Sequence, residues 1–298
     1  MVINMAQESI LFGQAIPTFF EWVEAKGMRD ETVRGYRNDL NQFHRWMNKQ
    51  ANGPVFLNEI DPKHFEVFVR FLKHERGCKP ATINRKINAL SSFFKCMKRK
   101  KIVSDNPLED FDRMKVQRSE RLHLNKEEVE AIIEAIEHPV IHYFAIMMAY
   151  TGIRVKECIQ LTLDDVSLEE GYVQVIDGKG GKDRRVPMST NLKQGLETYL
   201  AHHRPLTDSN YFFALKKTGT VSNQYINLML KNAYLKAGIK KHVTSHILRH
   251  SFASYLVTKD THVAVIQRLL GHADVRTTSV YLHVQQDDLR AAVNQIDF

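Results

Sequence analysis

The sequence has few cysteines and no long apolar stretch. Its three cysteines, Cys78, Cys96 and Cys158, are odd in number and show no CxxC spacing, which favours reduced, buried thiols of a cytosolic protein over a disulfide framework. No apolar run reaches the roughly 18 residues that a transmembrane helix requires, and the first twenty residues contain no Lys or Arg. We therefore expect neither a membrane span nor a signal peptide.

Two signatures of cofactor chemistry are also missing. The sequence contains no HExxH, and the pair His246 and His250 alone is weak evidence for a metal site. The Gly-rich stretch GKGGK at 178–182 is not a P-loop. That motif would need Gly in place of Ile176 and Ser or Thr in place of Asp183.

The positive charge is concentrated in the first third of the chain. The net charge of the 298 residues is +8. Residues 1–107 hold 18 Lys and Arg against 11 Asp and Glu, a net charge of +7, whereas residues 108–298 hold 24 against 23, a net charge of +1. A basic N-terminal part favours a polyanionic partner, with nucleic acid as the first candidate. A solvated basic surface without a partner is the alternative.

The N-terminal part has the periodicity of helices throughout. Helices are predicted near residues 9–26 and 31–49, and Asp61 and Pro80 are start signals for a third and a fourth. In the second segment apolar residues recur every three or four positions: Val33, Tyr36, Leu40, Phe43 and Met47. We expect residues 1–107 to form a four-helix bundle.

The remainder predicts a linker and a second, mixed domain. Residues 108–123 are charged without steady periodicity and are interpreted as the linker; the second domain is expected at 124–298. Helices are predicted from Asn125, over 139–151, 190–203 and 221–237, and at 286–295, and YVQVI and RRVPM, within residues 172–188, predict two strands. The predicted fold class is mainly α with a small β-sheet, an α+β catalytic domain behind a helical one.

Residues 245–284 carry the chemistry. SHILRHSFAS and LLGHADVRTTSVYLHV supply His246, Arg249, His272 and Tyr281. Arg pairs with two phosphate oxygens at once, His transfers protons near neutral pH, and Tyr becomes a nucleophile beside cations and a base. Such a set can bind and attack a phosphodiester without a metal. Thr244 and Ser245 are candidate caps of one helix, and Thr261 of the next.

Two earlier segments add candidates. Arg154, in TGIRVKE, follows a Gly turn and opens a helix, so Glu157 can orient it. Lys179, in the predicted hairpin, can deliver a proton to a phosphate-bound oxygen, with Lys182 as the alternative carrier. Taken singly, each of these residues is more often structural or solvated than catalytic. The constellation is what favours catalysis.

The ordered set of motifs resembles the tyrosine recombinases, also called the phage integrase family, and among them the compact Xer-like members. TGIRVKE is similar to the family's first-arginine box, GKGGKDRRVP to its hairpin-lysine box, SHILRHSFAS to HxxR, and LLGHADVRTTSVYLHV to GH…TT…Y. TVRGYRNDL and ATINRKINALSSFF resemble its core-binding domain. The resemblance covers nearly the whole chain. It implies a SAM-like core-binding domain and a catalytic domain closed around DNA in a C-shaped clamp.

The resemblance also implies roles. Tyr281 would attack the scissile phosphate, giving a 3′-phosphotyrosine and a free 5′-hydroxyl, while Arg154 and Arg249 hold the nonbridging oxygens. Lys179 would protonate the leaving oxygen. His246 would move the Tyr proton or support a neighbouring group, His272 would hydrogen-bond the phosphate, and Glu157 would be the accessory acid. No cofactor or metal would be required.

The implied setting is site-specific recombination in the prokaryotic cytoplasm, at the nucleoid. The partners would be double-stranded DNA and a homo-tetramer, with or without a second recombinase, in which residues 286–298 dock on the neighbouring protomer. Dimer resolution, transposon resolution and integration stay open. So do three other functions: a catalytically silent DNA-binding protein, a relaxing topoisomerase, and a metal-dependent nuclease that uses His246, His250 and His272.

Overall fold

The structure is a computed structural model that describes residues 10–116, 122–176 and 183–271. The chain divides into two compact units, Met1–Ser119 and Glu120–Phe298. The predicted final helix at 286–295 lies outside the described residues. In the part of the chain that is described, no helix is long and apolar enough to cross a membrane.

The N-terminal unit contains the four predicted helices: α1 Phe12–Ala25, α2 Asp30–Gln50, α3 Pro62–His74 and α4 Pro80–Arg99. The Asp61 carboxylate accepts a hydrogen bond from the backbone N–H of His64 at 3.2 Å, as expected of an N-cap, and a proline opens α3 and α4. The apolar stripes meet in a core rich in aromatic residues. Seven phenylalanines in it are fully buried: Phe12, Phe19, Phe43, Phe65, Phe68, Phe93 and Phe94.

The segment that follows α4 packs on this bundle. Leu108 is 1% exposed and belongs to the bundle core. The Asn84 side chain of α4 donates to the carbonyl of Met114 and accepts from its backbone N–H, both at 2.9 Å. The first part of the predicted linker, up to Met114, therefore packs against the N-terminal unit.

The second unit is built on a buried helix. Its helices in the described ranges are α5 Lys126–Ala135, α6 Pro139–Thr151, α7 Val155–Gln160, α8 Thr190–Thr198, α9 Asn223–Lys236, α10 Ser245–Thr258 and α11 Val263–Leu270. α6 is apolar on nearly every side and packs against α10, as expected of a helix in a core. Cys158 is also buried there, and its thiol is free.

A small antiparallel sheet lies between α7 and α8. Strands β1 Val166–Ser167, β2 Tyr172–Val175 and β3 Arg184–Pro187 pair in the order β1-β2-β3. β2 and β3 are the two predicted strands, and their register pairs Val175 with Arg184. β1 was not predicted, because two residues are too few to show a period. The fold class, mainly α with a small β-sheet, is confirmed.

Two predicted helix caps are replaced by other side chains. The N-cap of α11 is His262, whose Nδ1 accepts from the Ala264 N–H at 3.2 Å, so the prediction of Thr261 was wrong. Thr244 is at the N-cap of α10 but makes no side-chain cap bond. The amide oxygen of Asn227 accepts from the N–H of Ser245 at 3.0 Å instead.

Candidate active site

A glycine turn places the first arginine of the site. α6 ends at Thr151, and Gly152 has a φ of 63°, which is the left-handed conformation typical of a helix C-terminus. A Cβ on Gly152 would also overlap the ring of Phe252 in α10. This position thus needs glycine for two reasons, and the turn that it makes delivers Arg154 to the N-cap of α7.

Glu157 holds Arg154 from the first turn of α7. Its carboxylate accepts from the backbone N–H of Arg154 at 2.8 Å and from Nη1 of the same residue at 2.7 Å. The Arg154 side chain is 21% exposed, whereas that of Glu157 is 8% exposed. The acid is covered, and the cation that it holds keeps a face toward solvent.

A second arginine, Arg184, binds the same carboxylate and was not predicted as a site residue. Its Nη2 lies 2.8 Å and its Nη1 3.2 Å from the two oxygens of Glu157. The available sequence signal was its position two residues before Val186 in β3, opposite Val175. Both valines are buried, so strand alternation puts Arg184 on the inward face of the hairpin.

The charges around Glu157 keep it ionised. Burial opposes ionisation of this carboxyl, but hydrogen bonds from Arg184 and Arg154 and the charge of Arg184 outweigh it and lower its pKa from 4.5 to about 2. Glu157 is thus a fixed anion at neutral pH. It balances one of the two cations that contact it.

Arg249, on α10, is the most buried cation of the site. It is 5% exposed. Its Nη1 donates to the carbonyl of Gly152 at 2.5 Å and its Nη2 to the carbonyl of Leu270 at 2.7 Å. It therefore joins α10 both to the turn before Arg154 and to the end of α11.

Three guanidinium groups converge on the C-terminus of α11. Leu269 accepts from Arg184 at 3.1 Å, Leu270 accepts from Arg249, and Gly271 accepts from Arg154 Nη2 at 3.1 Å. The last carbonyls of a helix lack partners within it and carry partial negative charge, so cations stabilise them. Cations from three separate segments are held at one point, and the chain continues from there to His272.

The described site residues other than His246 thus form one cluster. Arg154, Glu157 and Arg249 lie together with Arg184, and His246 is exposed on α10, three residues before Arg249. Four candidates lie outside the described residues: Lys179, Lys182, His272 and Tyr281. The metal-dependent nuclease would need His272 as a metal ligand. Because His272 lies outside the described residues, the structure does not test that alternative.

The cluster has the chemistry of an oxyanion site. Three guanidinium groups and one carboxylate leave an excess of positive charge, and Arg is well suited to the tetrahedral oxygens of a phosphate. Fixed cations of this kind also stabilise the charge that develops on the equatorial oxygens during phosphoryl transfer.

Comparison with known proteins agrees with this chemistry. Residues 123–288 match the model of the phage integrase family, and residues 16–103 match that of the phage integrase N-terminal SAM-like domain. Tyrosine recombinase XerD of Oceanobacillus iheyensis is 32% identical over 93% of this chain and 95% of its own length. Tyrosine recombinase XerC of the same organism is 31% identical over 93% of each.

The fold agrees as well. The crystal structure of the XerH site-specific recombinase bound to its difH substrate, a pre-cleavage complex, has a TM-score of 0.71 over 95% of this chain and 84% of that one, at 23% identity. Both family models match, and XerC and XerD relatives align along nearly the whole length. The arginines at the end of α11 lie in the part that matches the integrase model. The chain therefore belongs to the phage integrase family of tyrosine recombinases.

Proposed function

We propose that this protein cuts and rejoins DNA at specific sites, with Tyr281 as the nucleophile. The hydroxyl oxygen of Tyr281 attacks the scissile phosphorus, the bond to the 5′-oxygen breaks, and a 3′-phosphotyrosine and a 5′-hydroxyl remain. Rejoining is the reverse reaction, so the energy of the phosphodiester is retained and no cofactor is needed. The convergence of Arg154 and Arg249 on the end of α11 carries this proposal.

Each candidate has a role in that reaction. Arg154 and Arg249 bind the nonbridging oxygens, and Glu157 keeps Arg154 in position. Lys179 gives its proton to the leaving 5′-oxygen. His246 accepts the proton of Tyr281 or supports its neighbour, and His272 donates a hydrogen bond to the phosphate.

The partner is double-stranded DNA. The N-terminal unit offers it a groove of about 790 Å³ whose lining includes four cations, Lys26, Lys95, Lys98 and Arg99. Basic side chains beside a groove bind the phosphate backbone in a salt-dependent manner. The proposed assembly is a homo-tetramer, with or without a second recombinase, in which residues 286–298 dock on the next protomer, at the nucleoid of a prokaryotic cytoplasm.

The relatives do not select the biological role, because the similarity to XerC and to XerD of one organism is nearly equal. DNA that becomes covalently attached to the protein in cells would identify the target. Sequencing of that DNA, with a Tyr281→Phe strain as the background, should give one core site. Cleavage mapping on that site then separates dimer resolution from transposon resolution and integration.

A duplex that carries the mapped core site and a nick beside the cleavage position tests the chemistry. The wild-type protein should accumulate a covalent adduct on it, in EDTA, because the nicked fragment diffuses away before rejoining. Tyr281→Phe should bind the duplex and form no adduct. An adduct with Tyr281→Phe would overturn the assignment of the nucleophile, and binding without any adduct from the wild type would favour the catalytically silent DNA-binding protein.

A further inference from the structure

We propose that Arg184 is a positioning residue for DNA cleavage, which fixes Glu157, and through it Arg154, while it ties β3 to the end of α11. This inference rests on the proposed function. It assigns a role to a residue whose side chain contacts other protein groups and acts through them.

The hydrogen bonds of Arg184 carry the first step. Both terminal nitrogens bind the two oxygens of Glu157, a bidentate pair that fixes orientation as well as distance. The third nitrogen, Nε, donates to the carbonyl of Leu269 at 3.1 Å. One planar group therefore determines the position of a carboxylate on α7 relative to a carbonyl on α11.

Packing carries the second step. The side chain of Arg184 is 10% exposed. A Cβ built on Gly271 would lie 2.9 Å from its Cζ, Nε and Nη1, so the guanidinium is in close contact with the backbone that leads to His272. All three of its nitrogens donate to protein groups, so Arg184 acts through Glu157 and the end of α11.

The place of Arg184 in the chain gives the third step. It begins β3, directly after the residues that contain Lys179 and Lys182. Through its contacts with Glu157 and Leu269, Arg184 thus attaches the start of β3 to α7 and to the end of α11. Loss of these contacts would misalign groups that must act together, and misplacement by about 1 Å can cost on the order of 100-fold in rate.

The pH dependence of the cleavage rate is a readout that a purely structural role of Arg184 would not change. Among the described residues, the charged groups facing Glu157 are Arg184 and Arg154, and the adjacent Cys158 thiol has its pKa raised by burial. Without Arg184, burial of the Glu157 carboxyl is opposed by Arg154 alone, and its pKa rises. A protonated Glu157 cannot hold Arg154 as an ion pair.

The experiment measures duplex binding and the single-turnover rate of adduct formation on the nicked core-site duplex between pH 5.5 and 8.5. Arg184→Met should bind within about threefold of wild type and cleave at least about tenfold more slowly at pH 8. Its rate should fall further toward acidic pH than that of wild type. Arg184→Lys, which keeps the charge, should regain part of the rate.

Two controls make the result specific. Arg185→Met removes the neighbouring arginine, which instead contacts Gln174 at 3.1 Å and lies over the ring of Tyr172, and it should cleave as wild type does. Arg184→Met combined with Glu157→Gln should remain slow without the extra acid-side loss, because no carboxyl is left there to titrate.

The outcomes separate the two proposals. The positioning role would be overturned if Arg184→Met cleaved with the rate and pH profile of wild type. It would also be overturned if the variant lost binding and cleavage in proportion while its pH profile stayed unchanged. If Arg184→Met does not fold, Arg184→Lys decides: a folded Lys variant with wild-type rate and profile overturns it too. A wild-type protein that forms no adduct would overturn the proposed function instead.

Discussion

A buried carboxylate organises the candidate site at the scale of single residues. Glu157 is 8% exposed, and two guanidinium groups contact it. A buried charge is costly unless it is paired and hydrogen-bonded, and here both oxygens have partners. Replacing Glu157 would release both arginines at once.

The pKa of Glu157 predicts a pH-dependent stability. Its pKa is about 2 in the folded protein against an ordinary 4.5. Between these values the unfolded chain binds the extra proton, so the contribution is complete above about pH 5.5 and is lost as the pH falls toward 2. Glu157→Gln removes it. The difference in unfolding free energy between wild type and Glu157→Gln should therefore shrink by roughly 2 kcal/mol from pH 6 to pH 3, as urea denaturation can measure.

Other carboxyls titrate in both proteins and cancel in that difference. A difference that stays constant with pH would mean that Glu157 titrates in the folded state as it does in the unfolded chain. Adduct formation by Glu157→Gln at neutral pH should also be slower than that of wild type, because Arg154 loses its anionic partner.

At the scale of elements, the site depends on how α11 ends. Gly271 has a φ of 63°, its carbonyl accepts from Arg154, and Arg184 lies where a side chain would be. The left-handed residue turns the chain and leaves the last carbonyls of the helix open to side-chain donors.

Gly271→Ala should therefore cost more than an alanine at another helix end. Gly238, after α9, has a φ of 70° and nothing within 4 Å of its Cβ position, so Gly238→Ala measures backbone strain alone, about 1–2 kcal/mol. Gly271→Ala should lose at least about 1 kcal/mol more in urea unfolding, because Arg184 must move. It should also slow adduct formation, whereas Gly238→Ala should not. Equal losses in both variants would contradict the close packing of Arg184.

The elements differ in how far the sequence could predict them. Helices α1 to α4 carry strong apolar periodicity and clear start signals such as Asp61 and Pro80, so they were predictable. The pairing of Glu157 with Arg184 joins residues 27 positions apart and depends on how the hairpin packs against α7, which local pattern does not encode. His262 capped α11 although Thr261 was the better residue by preference, because tertiary packing decided where the helix starts.

At the scale of the whole molecule, the described residues form two large cores and a small third cluster between α10 and α11. The first cluster contains the aromatic residues of α1 to α4, and the second surrounds α6. Separate cores allow each unit to fold by itself. The basic charge belongs mainly to the first unit. This distribution fits a division in which the first unit contacts the DNA backbone without sequence specificity and the second unit carries the catalytic residues.

The C-terminal end of the first folding unit can be located by comparing the unfolding free energies of two fragments. A fragment of residues 1–116 retains Leu108 in the bundle core and the two hydrogen bonds between Asn84 and Met114, whereas a fragment of residues 1–107 has neither. Burial of a leucine stabilises by roughly 1.5–3 kcal/mol, and each net hydrogen bond adds about 1 kcal/mol. Fragment 1–116 should therefore unfold cooperatively and be roughly 3.5–5 kcal/mol more stable than fragment 1–107 in urea.

Asn84→Ala in fragment 1–116 is the matched control. It should lose about 2 kcal/mol, the part due to the hydrogen bonds, and keep the part due to Leu108. Fragment 1–107 keeps Lys95 and Lys98 but loses Glu109, the groove carboxylate that pairs with Lys98 at 2.9 Å. It should therefore bind a duplex at low salt at least as tightly as fragment 1–116, and both affinities should fall steeply as salt rises. Equal stability of the two fragments would place the end of the folding unit at residue 107, and the contacts of Leu108 and Met114 would then contribute nothing to it.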